Sequence, residues 1–188
     1  MAVINAAGRY GLAEYFRIEI EKISNPRASA DTSCYLSSML ERFARSEIYF
    51  SADQDGIGLR PLALIYEEAY NTSSENERRL LLRQLGDQAL FTGAMFPEFY
   101  ARKGIARDYF IGMGGGAYSY LADRVPSLQE AFEELSQRFA QMLELVARVL
   151  RRYRKLDAQE LMALYDRWRQ TRDPALGRQL VELGVVLD

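Results

Sequence analysis

A chain of 188 residues, 48% apolar, 12% aromatic and 27% charged, has the composition of one globular domain, long enough to bury a core. Its 24 basic and 26 acidic residues leave a net charge of -2, so the overall field draws neither nucleic acid nor an anionic membrane. There is no histidine and one cysteine, Cys34, which excludes Ser-His-Asp and Cys-His catalysis, His- or Cys-based zinc and iron–sulfur sites, and an internal disulfide.

The first residues lack a basic stretch followed by a sustained apolar one, and nowhere are 18 consecutive residues apolar. The expected location is the cytoplasm, with no membrane span. A first helix is predicted over about residues 10–24, a peripheral element within 1–30, ended by Asn25-Pro26. Asp31 or Thr32 caps a second helix running to about Phe50, with Leu36, Met39, Leu40 and Phe43 at core spacing. The loop Ser51–Arg60 follows. Its Asp53-Gln54-Asp55-Gly56 run faintly suggests calcium, but Leu62 stands where the bidentate glutamate belongs, so it reads as a solvated turn.

Pro61 opens a helix containing Leu62, Ile65, Tyr66 and Tyr70. Ser74-Glu75-Asn76-Glu77 has capping-box spacing and begins a helix to about Gly93. Pro97 starts a short helix ended by Gly104, and Asp108 caps the next, to about Asp123. Ser127–Tyr153 is predicted as the longest helix, opened by another capping box. Asp157 to Glu160 repeats that signature before Leu161, Leu164, Tyr165 and Trp168, and Asp173-Pro174 opens a last helix ended by Gly184. No convincing strand is present. The expected fold is all-α: one helical domain over 1–188, a bundle of seven or eight helices around one long central helix.

Within that long helix Leu128, Phe132, Leu135, Phe139, Met142, Val146, Val149 and Tyr153 alternate steps of four and three, a heptad repeat. Such a seam serves a dimer or the core of a bundle, and the flanking Leu143, Ala147 and Leu150 favour the core. The helix then carries Arg148, Arg151, Arg152, Arg154 and Lys155. Without interleaved base-stacking aromatics these read as cations solvating a helix end, and nucleic acid is not expected as a partner.

Residues 85–121 are the unusual part. Gly112, Gly114, Gly115 and Gly116 crowd into a helical pattern, each costing about 1 kcal/mol relative to alanine. No phosphate-loop spacing accompanies them. They serve either a close helix crossing, Gly86 and Gly93 against Gly112 and Gly116, or a cavity beside Tyr109, Tyr118 and Tyr120. Asp87, set between Leu85 and Leu90-Phe91, is expected to be partly buried and to need a partner such as Arg83 or a facing tyrosine.

The segments Leu85-Gly86-Asp87-Gln88-Ala89-Leu90-Phe91, Phe96-Pro97-Glu98 and Asp108-Tyr109-Phe110-Ile111-Gly112-Met113-Gly114, with Ala117-Tyr118, resemble a group of uncharacterised all-helical bacterial hypothetical proteins. The likeness extends in broad pattern over residues 60–185 and implies a bacterial helical protein. It transfers no activity, cofactor or site residue.

The functional expectation is a non-enzymatic interaction or regulatory module with a protein partner, as a homodimer, and without cofactor or metal. The alternative is a helical protein binding a small molecule or lipid near residues 109–120. In both, Arg83, Asp87, Tyr109, Gly112, Gly116 and Tyr118 are the candidate site residues, gathered near one another.

Overall fold

The structure, a computed structural model, describes residues 11–45, 52–53, 56–57 and 60–182. Among them it is all-α, with nine α-helices and one 3-10 turn. The one extended pairing among the described residues is a two-residue antiparallel ladder, β1 (Ala52–Asp53) against β2 (Gly56–Ile57).

Helices α1 (Leu12–Ile23) and α2 (Ala30–Arg45) pack on each other. The cap of α2 is Ser29 rather than Asp31 or Thr32: its hydroxyl accepts the Thr32 N–H at 3.1 Å. Helix α3 (Leu62–Asn71) follows Pro61. Helix α4 (Glu75–Met95) is capped as predicted, the Ser74 hydroxyl accepting the Glu77 N–H, and it runs past Gly93. Helix α5 (Pro97–Arg102) leads to α6 (Arg107–Ala122), which begins one residue before Asp108, with no side-chain cap.

The predicted helix 127–153 divides in two. Pro126–Leu128 forms the 3-10 turn, α7 (Gln129–Gln137) follows, and Arg138 leaves helical geometry at φ -113 and ψ 24 before α8 (Phe139–Thr171). The break loses little hydrogen bonding. The Arg138 N–H still reaches the Glu134 carbonyl at 2.9 Å, and the Arg138 carbonyl still accepts the Met142 N–H. Its guanidinium is tied to Glu134 and to the Pro26 carbonyl. The heptad seam crosses the bend intact: Phe132, Leu135, Phe139, Met142, Val146 and Val149 are all buried inside this chain.

No helix begins at Asp157. The stretch from Phe139 to Asp173 contains no glycine or proline, and capping-box spacing without a breaker does not interrupt a helix already under way. Helix α8 is therefore 33 residues, about 50 Å long. It is followed by α9 (Pro174–Glu182), where Asp173 accepts the Ala175 N–H at 2.8 Å. The predicted stop at Gly184, and the stretch 46–50 of the second predicted helix, lie outside the described residues.

Helix α4 is the centre, packed against α3, α6 and α8. Every residue from Leu85 to Thr92 is buried, so α4 cannot be amphipathic there. Trp168 and Leu180 bury themselves apart from this core, where α9 folds back on α8. No helix among the described residues is long and apolar enough to cross a membrane.

Candidate functional site

The helical period of α6 sends its glycines to different neighbours. Gly114 and Gly115 are buried with Ala117 and Tyr118, whereas Gly112 and Gly116, one turn apart, are exposed. The close crossing of α4 and α6 therefore uses Gly86, Gly93 and Gly114, correcting the expected role of Gly112 and Gly116. A Cβ on Gly86 would stand 2.7 Å from the Tyr118 ring, and one on Gly114 would run into the Phe139 ring. A Cβ on Gly112 or Gly116 would meet nothing within 4 Å among the described residues.

On the buried side the crossing aims Tyr118 at Asp87. The Asp87 Oδ1 accepts from the Tyr118 hydroxyl at 2.8 Å and from the Tyr35 hydroxyl at 2.5 Å, while Oδ2 accepts from Arg42 at 2.6 Å. Of the two expected partners, the facing tyrosine is present and the Arg83–Asp87 pair is not formed. Arg83 instead donates its Nε to the Tyr35 hydroxyl at 3.2 Å, its guanidinium 5.1 Å from the centre of that ring. Phe132 stacks on Tyr118 and meets Tyr35 edge-on.

Burial pushes both phenols well above their ordinary pKa, and the adjacent carboxylate adds to the effect, so each stays protonated as a donor. Burial also works against charge on Arg42, but the Asp87 carboxylate outweighs it and raises the guanidinium's pKa. With three donors across its two oxygens, Asp87 fastens α2, α4 and α6 together as an acceptor. Sequence reasoning found Asp87, Arg83 and Tyr118 but missed Tyr35 and Arg42, whose only signal was the apolar stripe of α2 on which Tyr35 lies.

The exposed side of the crossing is a groove of about 560 Å³. Its floor is Leu82 and Leu85 of α4 with Ala69 and Ala117, and its walls are Tyr66 and Tyr70 of α3 against Gly112, Met113, Gly116 and Tyr120 of α6. Tyr70 is 77% exposed and Tyr66 51%. At one end Arg78 is engaged by the Ala69 carbonyl at 3.0 Å and by Glu75 at 3.1 Å. Tyr109 lies one turn before Gly112 on the same stripe of α6, exposed, its ring edge-on to Phe110. The six predicted site residues thus fall into two groups: Arg83, Asp87 and Tyr118 in the buried cluster, Gly112 and Gly116 in the groove with Tyr109 beyond its end.

Among the described residues no three His, Cys, Asp or Glu side chains gather as metal ligands would. Compared with known proteins, the chain matches no family model, no curated protein and no solved structure.

Proposed function

We propose that this chain is a non-enzymatic interaction module of a bacterial cytoplasm, and that it receives its protein partner in the groove between α3 and α6. The observation that carries this reading is the emptiness around Gly112 and Gly116. Each glycine costs about 1 kcal/mol in a helix interior, and nothing among the described residues needs the missing side chain. The room serves an occupant. The groove extends over the two turns from Gly112 to Tyr120, about 12 Å, and its glycine edge lets a second helix backbone come close.

The test places a photo-crosslinking residue at Tyr70, on the groove wall, and in a second variant at Arg169, on the far end of α8. Reaction with a discrete protein in the native host is expected from position 70 only, and Gly116→Leu is expected to abolish it. Equal products from both positions, or products that survive Gly116→Leu, would remove the groove from consideration. A homodimer formed through the same groove is one form of this reading. Light scattering would then give a dimer for the native chain and a monomer for Gly116→Leu.

The volume also falls within the range of small-molecule sites, which supports a second reading as a binder of an apolar ligand. A bound mass retained in native mass spectrometry of the native chain and lost in Gly116→Leu would favour it.

A further inference from the structure

Helix α3 separates two unlike surfaces. On one side lies the tyrosine-walled groove. On the other, a cleft of about 490 Å³ is lined by Glu67, Glu68 and Glu77, with Arg60 its only cation among the described residues. Arg60 is already spent on Glu68, at 2.5 Å. Glu67 and Glu77 have no cation within 4 Å among the described residues, and Glu77 accepts only the Thr72 hydroxyl. The nearby cations are engaged elsewhere: Arg78 on Glu75 and the Ala69 and Thr72 carbonyls, Arg124 3.5 Å from Glu75 and over the Tyr120 ring, and Arg79 on the Arg124 carbonyl at 3.2 Å.

Resting on the groove reading above, we infer that the occupant is a basic amphipathic helix of another protein. Its apolar face seats against Leu82, Leu85, Gly112 and Gly116, and its lysine or arginine side chains cross the α3 ridge to Glu67 and Glu77. Long cationic side chains suit this path because their methylenes lie along Tyr66 and Tyr70 while the charged heads reach the carboxylates. Apolar contact supplies affinity, and the acidic flank selects the partner and sets its orientation.

The stretches of this sequence outside the described residues supply no such helix. Residues 1–10 carry a single cation, Arg9, residues 46–59 carry Glu47, Asp53 and Asp55 and no cation, and residues 183–188 end in Asp188 with no cation. The basic run Arg148–Lys155 belongs to a helix whose apolar residues Val149 and Leu150 are already buried. The proposed occupant is accordingly another protein rather than one of these segments.

The experiment uses the full chain and two labelled helical peptides of about 15 residues, both with a leucine face, one flanked by lysines and the other by glutamates. Binding is read by fluorescence anisotropy at low and moderate salt. The lysine peptide is expected to bind about tenfold tighter than the glutamate peptide, by an amount that shrinks as salt rises. Gly116→Leu, or Tyr70→Ser at its exposed position should Gly116→Leu fail to fold, is expected to weaken the lysine peptide about tenfold. The double change Glu67→Lys with Glu77→Lys is expected to reverse the preference.

Equal binding of both peptides, or a lysine-peptide affinity unmoved by the double charge change, overturns the basic partner. If Gly116→Leu still weakens both peptides in that case, the groove itself stands. Lysine-peptide binding insensitive to both Gly116→Leu and Tyr70→Ser, or no binding of either peptide, overturns the inference and the groove reading together.

Discussion

The Tyr118 ring occupies the space that a side chain on Gly86 would need, its Cε1 2.7 Å from where that Cβ would stand. Tyr118 is fully buried and held by Asp87 and Phe132, so it cannot swing aside. Gly86→Ala is therefore expected to destabilise by about 1–3 kcal/mol through overpacking. Gly116→Ala, in open space on the opposite face of the crossing, is expected to stabilise by up to about 1 kcal/mol. Denaturant unfolding of the two variants checks the pair. Loss of stability in Gly116→Ala would contradict the open environment of that residue.

Asp87→Ala removes the acceptor of two buried hydroxyls, those of Tyr35 and Tyr118, and leaves Arg42 without its carboxylate. At about 1–3 kcal/mol for each hydroxyl without its acceptor, the expected loss is about 2–6 kcal/mol. Arg42→Ala should cost less, because that side chain is 57% exposed and both tyrosine donors remain on Asp87. Urea unfolding that ranks Arg42→Ala as the more damaging change would show that the tyrosines are not the principal partners.

Stability should fall at both ends of the pH range for different reasons. Tyr35 and Tyr118 have folded pKa values raised above the ordinary 10.0, first by burial and then by Asp87. Their contribution is fully present below about pH 10 and is lost as pH rises through the raised folded values. Phenolate absorbance should therefore show these two phenols ionising only together with loss of helical circular dichroism. Early ionisation of all 12 tyrosines in the folded chain would contradict their placement.

At the acid end, partial burial works against charge on Glu19 and Glu134. Hydrogen bonds outweigh it, from Arg152 and Lys22 to Glu19 and from the Ser29 N–H to Glu134, and hold both carboxyls below the ordinary 4.5. Their contribution is present above about pH 4.5 and disappears as pH falls through the lowered folded values. Glu19→Gln and Glu134→Gln should each flatten the acid limb of the stability curve. An unchanged limb would assign the acid sensitivity to other groups.

Phe139 starts α8, is 1% exposed, and its ring lies against Gly114 of α6. Phe139→Ala should cost about 3–5 kcal/mol by leaving a cavity. The double variant Phe139→Ala, Gly114→Ala should recover part of that loss, since the new methyl enters the vacated space. Strict additivity of the two changes, measured by thermal unfolding, would refute their contact.

Local signals made the helices legible, and tertiary contacts decided what those signals left open. Ser74 and Asp173 cap where their spacing predicts, because a cap depends on residues within one turn. The bend at Arg138 has no glycine or proline to announce it. It is anchored by the carbonyl of Pro26, 112 residues earlier in the chain. Asp87 stood out as a polar residue in an apolar run and a facing tyrosine was expected beside the helix crossing, but no local signal singled out Tyr118 as that partner. Tyr35 and Arg42 come from α2, 52 and 45 residues before Asp87, and no local pattern ties them to it. The division of the glycines was available in principle: Gly112 and Gly116 share a helix face that Gly114 does not.

Trp168 is the only tryptophan in the chain, and it sits on the outer part of α8 under α9, apart from the main core, with Arg172 over its ring at 4.5 Å. Its fluorescence is thus a reporter of the α8–α9 hairpin, while far-ultraviolet circular dichroism is dominated by the helices of the bundle. The two signals are joined through a single continuous helix, and comparing their unfolding midpoints measures how far α8 transmits cooperativity between them. Coincident midpoints would make α8 a rigid coupling rod. An earlier fluorescence transition would mark the hairpin as a separate folding unit that melts while the groove and the Asp87 cluster stay assembled.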